Sequence, residues 1–203
     1  EIDIHPPLKN LAAKRQWIYE RYRDVFMVDD DISFVSRLYT TGNNRDEHLS
    51  PFEIAELIQV TADSARAAGC YLFGFNQSPN AKHYYPHKPI ELTGYINACA
   101  FGLFQSDKLY FTERTTAAES HWINLLNARV HRKAWLDKRF HFAQAPNSTF
   151  YREGGQTAKR TLASEREDTL FLRRMISQAV QVKKNRGDAN LVHQYQRSIK
   201  VDL

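Results

Sequence analysis

Three consecutive aspartates, Asp29, Asp30 and Asp31, follow directly on the apolar run Val25-Phe26-Met27-Val28. A short apolar run that ends abruptly in charge reads as a buried strand delivering acids at its C-terminal end. That is the end where open α/β sheets place their ligands. Side chains alternate along a strand, so this spacing puts Asp29 and Asp31 on one side and Asp30 outward. Two carboxylates on one side suit a hard divalent cation, Mg²⁺ or Mn²⁺, which completes its shell with the phosphates of a substrate. Such a pair is a clamp for a diphosphate, stabilising the charge that builds as the diphosphate leaves. A solvated acidic turn would show the same three residues. The apolar strand before them, Ile32, Phe34 and Val35 after them, and a basic helix upstream favour the clamp, because a buried carboxylate cluster needs a cation.

Other residues offer chemistry of the same kind. Arg132 and Arg139 lie in the basic stretch 129–139 and could grip diphosphate or acceptor phosphates through two parallel hydrogen bonds. His141 follows in Arg139-Phe140-His141-Phe142, whose alternation turns the phenylalanines inward and Arg139 and His141 the other way. An imidazole there could complete a metal shell beside Asp29 and Asp31, or bond to the backbone. Tyr84, Tyr85 and Trp135 could stack on a sugar or base. Gly94 and Gly102 flank Tyr95–Phe101, as where a ligand or another backbone approaches closely.

Alternating helical and strand-like segments must position these groups. Residues 11–23 predict a helix capped by Asn10, leading into the strand Val25–Val28. Ser50, Pro51 and Glu53 form a capping box with proline at the first position, opening a helix through Ala67 that Gly69 closes. Cys70–Phe75 reads as a second buried strand, and 76–89 as a polar loop long enough to be functional. A strand or strand pair is expected over 90–104, a helix from Glu119 to about Ala128, a Gly154-Gly155 turn, and a last helix from about Ser164 to Val182 with acids first and lysines last. The pattern implies one α/β domain over residues 1–182 with a mixed central sheet, followed by a polar tail over 183–203.

Composition narrows the class. The 203 residues suffice to bury a sizeable core, and a mean hydropathy of −0.57 leaves little room for a membrane span. Neither a signal peptide nor an initiator methionine opens the chain, which reads as a cytoplasmic protein. Cys70 and Cys99 are the two cysteines, both in apolar surroundings, as buried thiols are. A net charge of +5 favours a polyanionic partner, nucleic acid included.

The stretch Asn10–Ile18 leading into Val25–Ile32 resembles the nucleotide-sugar segment of GT-A fold glycosyltransferases, in which a helix carrying Ala and Arg precedes a strand and its Asp-x-Asp. Leu92-Thr93-Gly94 through Phe101-Gly102 resembles the acceptor-side strand of that fold, and Glu119-Ser120-His121-Trp122 resembles its acidic, acceptor-facing motif. Within the superfamily, the run from His131 to Phe140 and the Gly154-Gly155 turn look closest to phage and TET-associated glycosyltransferases, which modify hydroxymethylated bases. The resemblance spans about two thirds of the chain and implies a GT-A-like, Rossmann-type three-layer sandwich. It implies Mn²⁺ or Mg²⁺, a nucleoside-diphosphate sugar donor (a UDP-sugar first), a DNA or modified-nucleotide acceptor and, for a phage protein, the host cytoplasm.

Residue by residue, it sets Arg15, with Lys14 as second choice, near the nucleotide base or its phosphates. Asp29 is placed at the ribose or metal, with Asp30 and Gly94 on the donor side and Asp31 on the metal. Glu119 becomes the acceptor-side carboxylate, a general base for an inverting reaction, and His121 the alternative base. The family's opening strand and glycine turn have only Ile2-Asp3-Ile4 as a counterpart, so the nucleotide pocket is expected to be partial or the chain to lack its beginning. Two other classes remain open: a metal-dependent phosphoryl or nucleotidyl enzyme, and a non-catalytic nucleic-acid-binding domain.

Overall fold

The computed structural model describes residues 3–39, 48–145, 161–176, 180–182 and 197–199. Helix α1, Leu11–Tyr22, starts where the Asn10 side chain accepts from the Ala13 amide, and ends at Arg23, whose φ of 65° stops the helix. Strands β1, Val25–Val28, and β2, Ile32–Arg37, follow. Helix α2, Pro51–Ala67, opens on the expected reciprocal box between Ser50 and Glu53, and Gly69, at φ 67°, turns the chain after it. Then come β3 (Leu72–Phe75), β4 (Ile90–Glu91), β5 (Ala100–Leu103), α3 (Glu119–Val130), β6 (Trp135–Asp137) and β7 (Phe140–Gln144). Helix α4 is Leu162–Met175, and β8 (Val180–Val182) pairs antiparallel with β9 (Arg197–Ile199).

The central sheet is mixed, with strand order β1-β5-β3-β6-β4, and β3 and β6 run parallel. Because β5 is antiparallel to both β1 and β3, strands β1, β3 and β6 all point one way. Their C-terminal ends lie along one edge, at Asp29, Asn76 and Asp137. Strands β2 and β7 form a separate two-stranded ribbon.

Two cores sandwich the sheet. On one face Met27, Leu72, Phe101, Leu103 and Leu136 meet Ala12 and Tyr19 of α1, Trp122, Ile123, Leu125 and Leu126 of α3, and Leu172 of α4. On the other, Phe26, Phe73 and Phe75 meet Leu57 and Ala65 of α2 and Phe142 of the ribbon. Phe26 against Met27, and Phe73 against Leu72, show the period-two alternation that sends neighbours to opposite faces. The chain is thus a three-layer α/β domain, and among the described residues no helix is long and apolar enough to cross a membrane.

Residues 90–104 hold two short strands, β4 and β5, in keeping with the strand or strand pair expected there, separated by a loop over 92–99 in which Gly94 adopts φ 131°. Two expectations change. The last helix stops at Met175, and Val180–Val182 is a strand that favours its two β-branched valines. Part of the expected tail is ordered as β9. The Gly154-Gly155 turn lies outside the described residues.

Gly102 shows why a glycine sits in a buried strand. A Cβ there would lie 1.9 Å from Cε1 of Phe73 on the neighbouring strand, so the close approach is that of a ring rather than a ligand. Gly102→Ala is expected to destabilise the protein by about 1–3 kcal/mol through overpacking, read as a lower urea midpoint with unchanged slope.

Candidate functional site

The aspartates do not continue β1. The strand ends at Val28, the Asp29 amide still donates to the Cys99 carbonyl (2.8 Å), and Ile32 N donates to Asp29 O at 3.3 Å, which closes a tight turn. The period-two argument for bringing Asp29 and Asp31 together therefore fails, and the turn supplies the proximity instead. Asp29 stays with the central sheet. Asp31 belongs to the ribbon: its carbonyl accepts from the Ala145 amide, and both its carboxylate oxygens accept from Gln144 Nε2 at 3.2 and 3.0 Å. Asp30 is the exposed tip.

Arg15 is the hub. Only 4% exposed, its guanidinium donates from Nη2 to Asp29 Oδ1 (2.8 Å) and to the Ala98 carbonyl (3.0 Å), and from Nη1 to Glu119 Oε1 (3.3 Å). It also lies over the Phe101 ring, 5.2 Å from its centre. The expected contact with a nucleotide is therefore replaced by an internal one, since a guanidinium this buried must find counter-charges within the protein. Lys14 sits on the exposed side of α1.

Side chains from distant segments fix this geometry. Asn10, besides capping α1, donates from Nδ2 to the carbonyls of Glu113 (3.0 Å) and Thr115 (3.2 Å). Buried Asp168 of α4 accepts from the amides of Thr116 (2.9 Å) and Ala117 (2.8 Å). Together they clamp the entry to α3, and with it Glu119, against α1. Asn124 pins the 92–99 loop, accepting from Ile96 N at 2.7 Å and donating to Ile96 O at 2.8 Å. That places the Ala98 carbonyl over Arg15.

Electrostatically the site is rich in negative charge: Asp29 and Glu119 pair with one guanidinium, and Asp31 adds its charge from the turn beside Asp29. Burial pushes the Asp29 carboxyl up to about 6 against the pull of Arg15, and Asp31 and Glu119 push the same way. The Cys99 thiol is pushed up to about 11, by burial first and then by Asp29 and Asp31. At neutral pH it is a thiol and no nucleophile. Among the described residues no three Asp, Glu, His or Cys side chains stand close enough to hold one ion. An ion at Asp29 and Asp31 would thus take its remaining ligands from water and substrate phosphates, which is how Mg²⁺ is commonly held.

The remaining candidates lie elsewhere. His141 donates from Nδ1 to the Asn76 carbonyl (2.8 Å), and burial lowers its pKa. It precedes Gln144 by three strand residues, about 10 Å from the contact with Asp31, so it does not join the aspartates. Arg139 is engaged by Asp137, from Nε at 3.0 Å and Nη2 at 2.7 Å, at the far end of β7. Exposed Arg132, with φ 67°, follows the C-terminus of α3, the end opposite Glu119. Gly94 is exposed in the 92–99 loop, where its Cβ position lies 3.3 Å from Leu136. His121 is two residues beyond Glu119, so the helix turns them apart. Its ring lies 5.2 Å from that of Tyr95, whose hydroxyl bonds to Ser120 Oγ at 2.9 Å. Trp135 packs with Ala65, Cys70, Phe73 and Phe104 beneath α2.

Comparison of the chain with family models, with curated proteins and with solved structures gives no match. The sequence reading missed Gln144, Asn124, Asp168 and the Ala98 carbonyl. None of them stands in a motif, and only the tertiary fold brings them to the carboxylates.

Proposed function

We propose that the protein is a metal-dependent glycosyltransferase of the GT-A type, moving a sugar from a nucleoside-diphosphate donor to a hydroxyl acceptor, and that the acceptor is a hydroxymethylated DNA base. The observation that carries this is the pairing of Asp29 and Glu119 with the single guanidinium of Arg15, with Asp31 adding its charge beside Asp29, at the edge where β1, β3 and β6 end. Three carboxylates against one cation leave an excess of two negative charges, which a divalent ion offsets. The turn 29–32 and its ties to Gln144 and Ala145 hold Asp29 and Asp31 as a preformed pair of oxygen donors. Mn²⁺ or Mg²⁺ bound there would supply the charge that stabilises the departing diphosphate.

Arg15 orients rather than binds substrate. It fixes Asp29 Oδ1 and holds Glu119 through Oε1, so that Glu119 Oε2 is the oxygen that takes the proton from the acceptor hydroxyl as the new bond forms. The basic charge of +5 suits both a diphosphate donor and a DNA acceptor.

The test is thermal-shift titration with UDP-sugars and Mn²⁺ at several pH values. Ligand at about a hundred times its dissociation constant stabilises by about 2.7 kcal/mol, several degrees for a domain of this size. Because Asp29 must lose its proton to bind the ion, the shift is expected to be small at pH 5 and to grow as pH rises through about 6. No Mn²⁺-dependent shift with any nucleoside-diphosphate sugar at neutral pH would sink the reading.

A further inference from the structure

An aromatic and basic surface forms around the start of β7, at the other end of the ribbon from Asp31. Tyr39 packs its ring 6.4 Å from that of Tyr84 and 5.7 Å from that of Phe140. The Arg139 guanidinium lies 5.5 Å from the Phe140 ring centre, and Lys138 Nζ lies 5.8 Å from that of Tyr85. Tyr39 and Tyr85 are 42% and 50% exposed, too open to be core residues. Asp137, completely buried, takes Nε and Nη2 of Arg139 and so fixes the plane of a guanidinium that remains 42% exposed. Lys138 is steadied by Glu91 at 3.3 Å. Tyr39, Tyr85 and Arg139 are thus held in place from below and open to solvent, while Lys138 lies between them with its side chain 15% exposed.

Exposed tyrosines interleaved with oriented cations match a single nucleic-acid strand, whose unpaired bases stack on rings while its phosphates meet Lys and Arg. A duplex offers phosphates but no open base faces. From Phe140 to Gln144, β7 covers about 13 Å, so a strand leaving this surface along the ribbon reaches the edge that carries Asp31 and Asp29. We infer that Tyr39, Tyr84, Tyr85, Lys138 and Arg139 form a docking surface for single-stranded or locally unpaired nucleic acid, which presents its reacting nucleotide to the Asp29–Glu119 edge. The part concerning presentation rests on the glycosyl-transfer reading; the docking surface itself does not.

The experiment is fluorescence polarisation of the full chain with a short, labelled, mixed-sequence single-stranded DNA and with its duplex. The single strand is expected to bind more tightly than the duplex, and the Tyr39→Ala/Tyr85→Ala double variant to bind it about tenfold or more weakly. The Tyr39→Phe/Tyr85→Phe variant keeps the rings and is expected to bind like the parent. Unchanged melting temperatures in both variants confirm folding. Parental binding by the alanine variant, equal binding of duplex and single strand, or no binding by the parent overturns the assignment. Ring-dependent binding of the strand without any donor-induced thermal shift upholds the surface and removes glycosyl transfer. A donor shift without strand binding does the reverse.

Discussion

Arg15→Met is expected to lower folding stability by about 3–5 kcal/mol at pH 8, the usual consequence of removing one partner from a buried charge cluster. The methionine fills most of the volume, so the loss reports charge rather than cavity. Asp29 and Glu119 then face each other with no guanidinium between them, Asp31 adds to the repulsion on Asp29, and the Ala98 carbonyl loses a donor. The pH dependence follows from the Asp29 carboxyl. Its value of about 6 in the folded protein lies above the ordinary 3.8, so the folded state holds that proton more tightly than the unfolded state does. The stability from this group is complete below pH 3.8 and is lost as pH rises through about 6. Without Arg15 the carboxyl rises further, and protonation relieves the repulsion at pH 5. The deficit of the variant, measured by urea denaturation, is therefore expected to be smaller at pH 5 than at pH 8. Equal deficits at both would mean that Arg15 contributes packing and not counter-charge.

On the proposed glycosyl-transfer reading, Asp31→Asn is expected to reduce kcat for sugar transfer by about 10²–10³-fold, the range seen when a group stabilising transition-state charge is removed. Asparagine retains an oxygen to accept from Gln144, so stability should stay within about 0.5 kcal/mol. The exposed neighbour offers an internal control: Asp30→Asn should leave kcat near the parental value. Steady-state assays at saturating Mn²⁺ separate the two variants. If Asp31→Asn retained most of its activity, the turn would not be the diphosphate site.

Much of this arrangement was legible in the sequence because it is encoded locally. The capping box at Ser50 and Glu53 and the cap at Asn10 appear where the residue types put them, and the apolar runs before Asp29 and Asn76 are strands. The family resemblance sets Arg15 and Asp29 on the donor side and Glu119 on the acceptor side; that Arg15 joins the two carboxylates emerges only from the fold. A helix pattern shows which residues share a face, but not that Ala98, 83 positions away, would lie over that face. The assignment of His141 to the metal failed for a related reason. Alternation gives its side of the strand, whereas its distance from Asp31 depends on register with β2. By sequence Trp135 groups with Tyr84 and Tyr85 as able to stack on a sugar or base; the pairing of β6 with β3 instead packs it, partly buried, under α2.

Asn124 has a consequence for how this scaffold can change. By gripping both backbone groups of Ile96, it divides the 92–99 loop into two segments that do not share strain. A second anchor, the Leu92 carbonyl accepting from Ala134 N at 2.9 Å, closes off the start. Between these anchors, exposed Thr93 and Gly94 form a graft point. Extra residues there enlarge a loop whose closure entropy rises by only about 0.6 kcal/mol per doubling of length. The Ala98–Arg15 contact, beyond the Ile96 anchor, is left undisturbed. The rim that this loop forms can therefore be rebuilt, in a laboratory or over generations, without retuning the charge cluster beneath it.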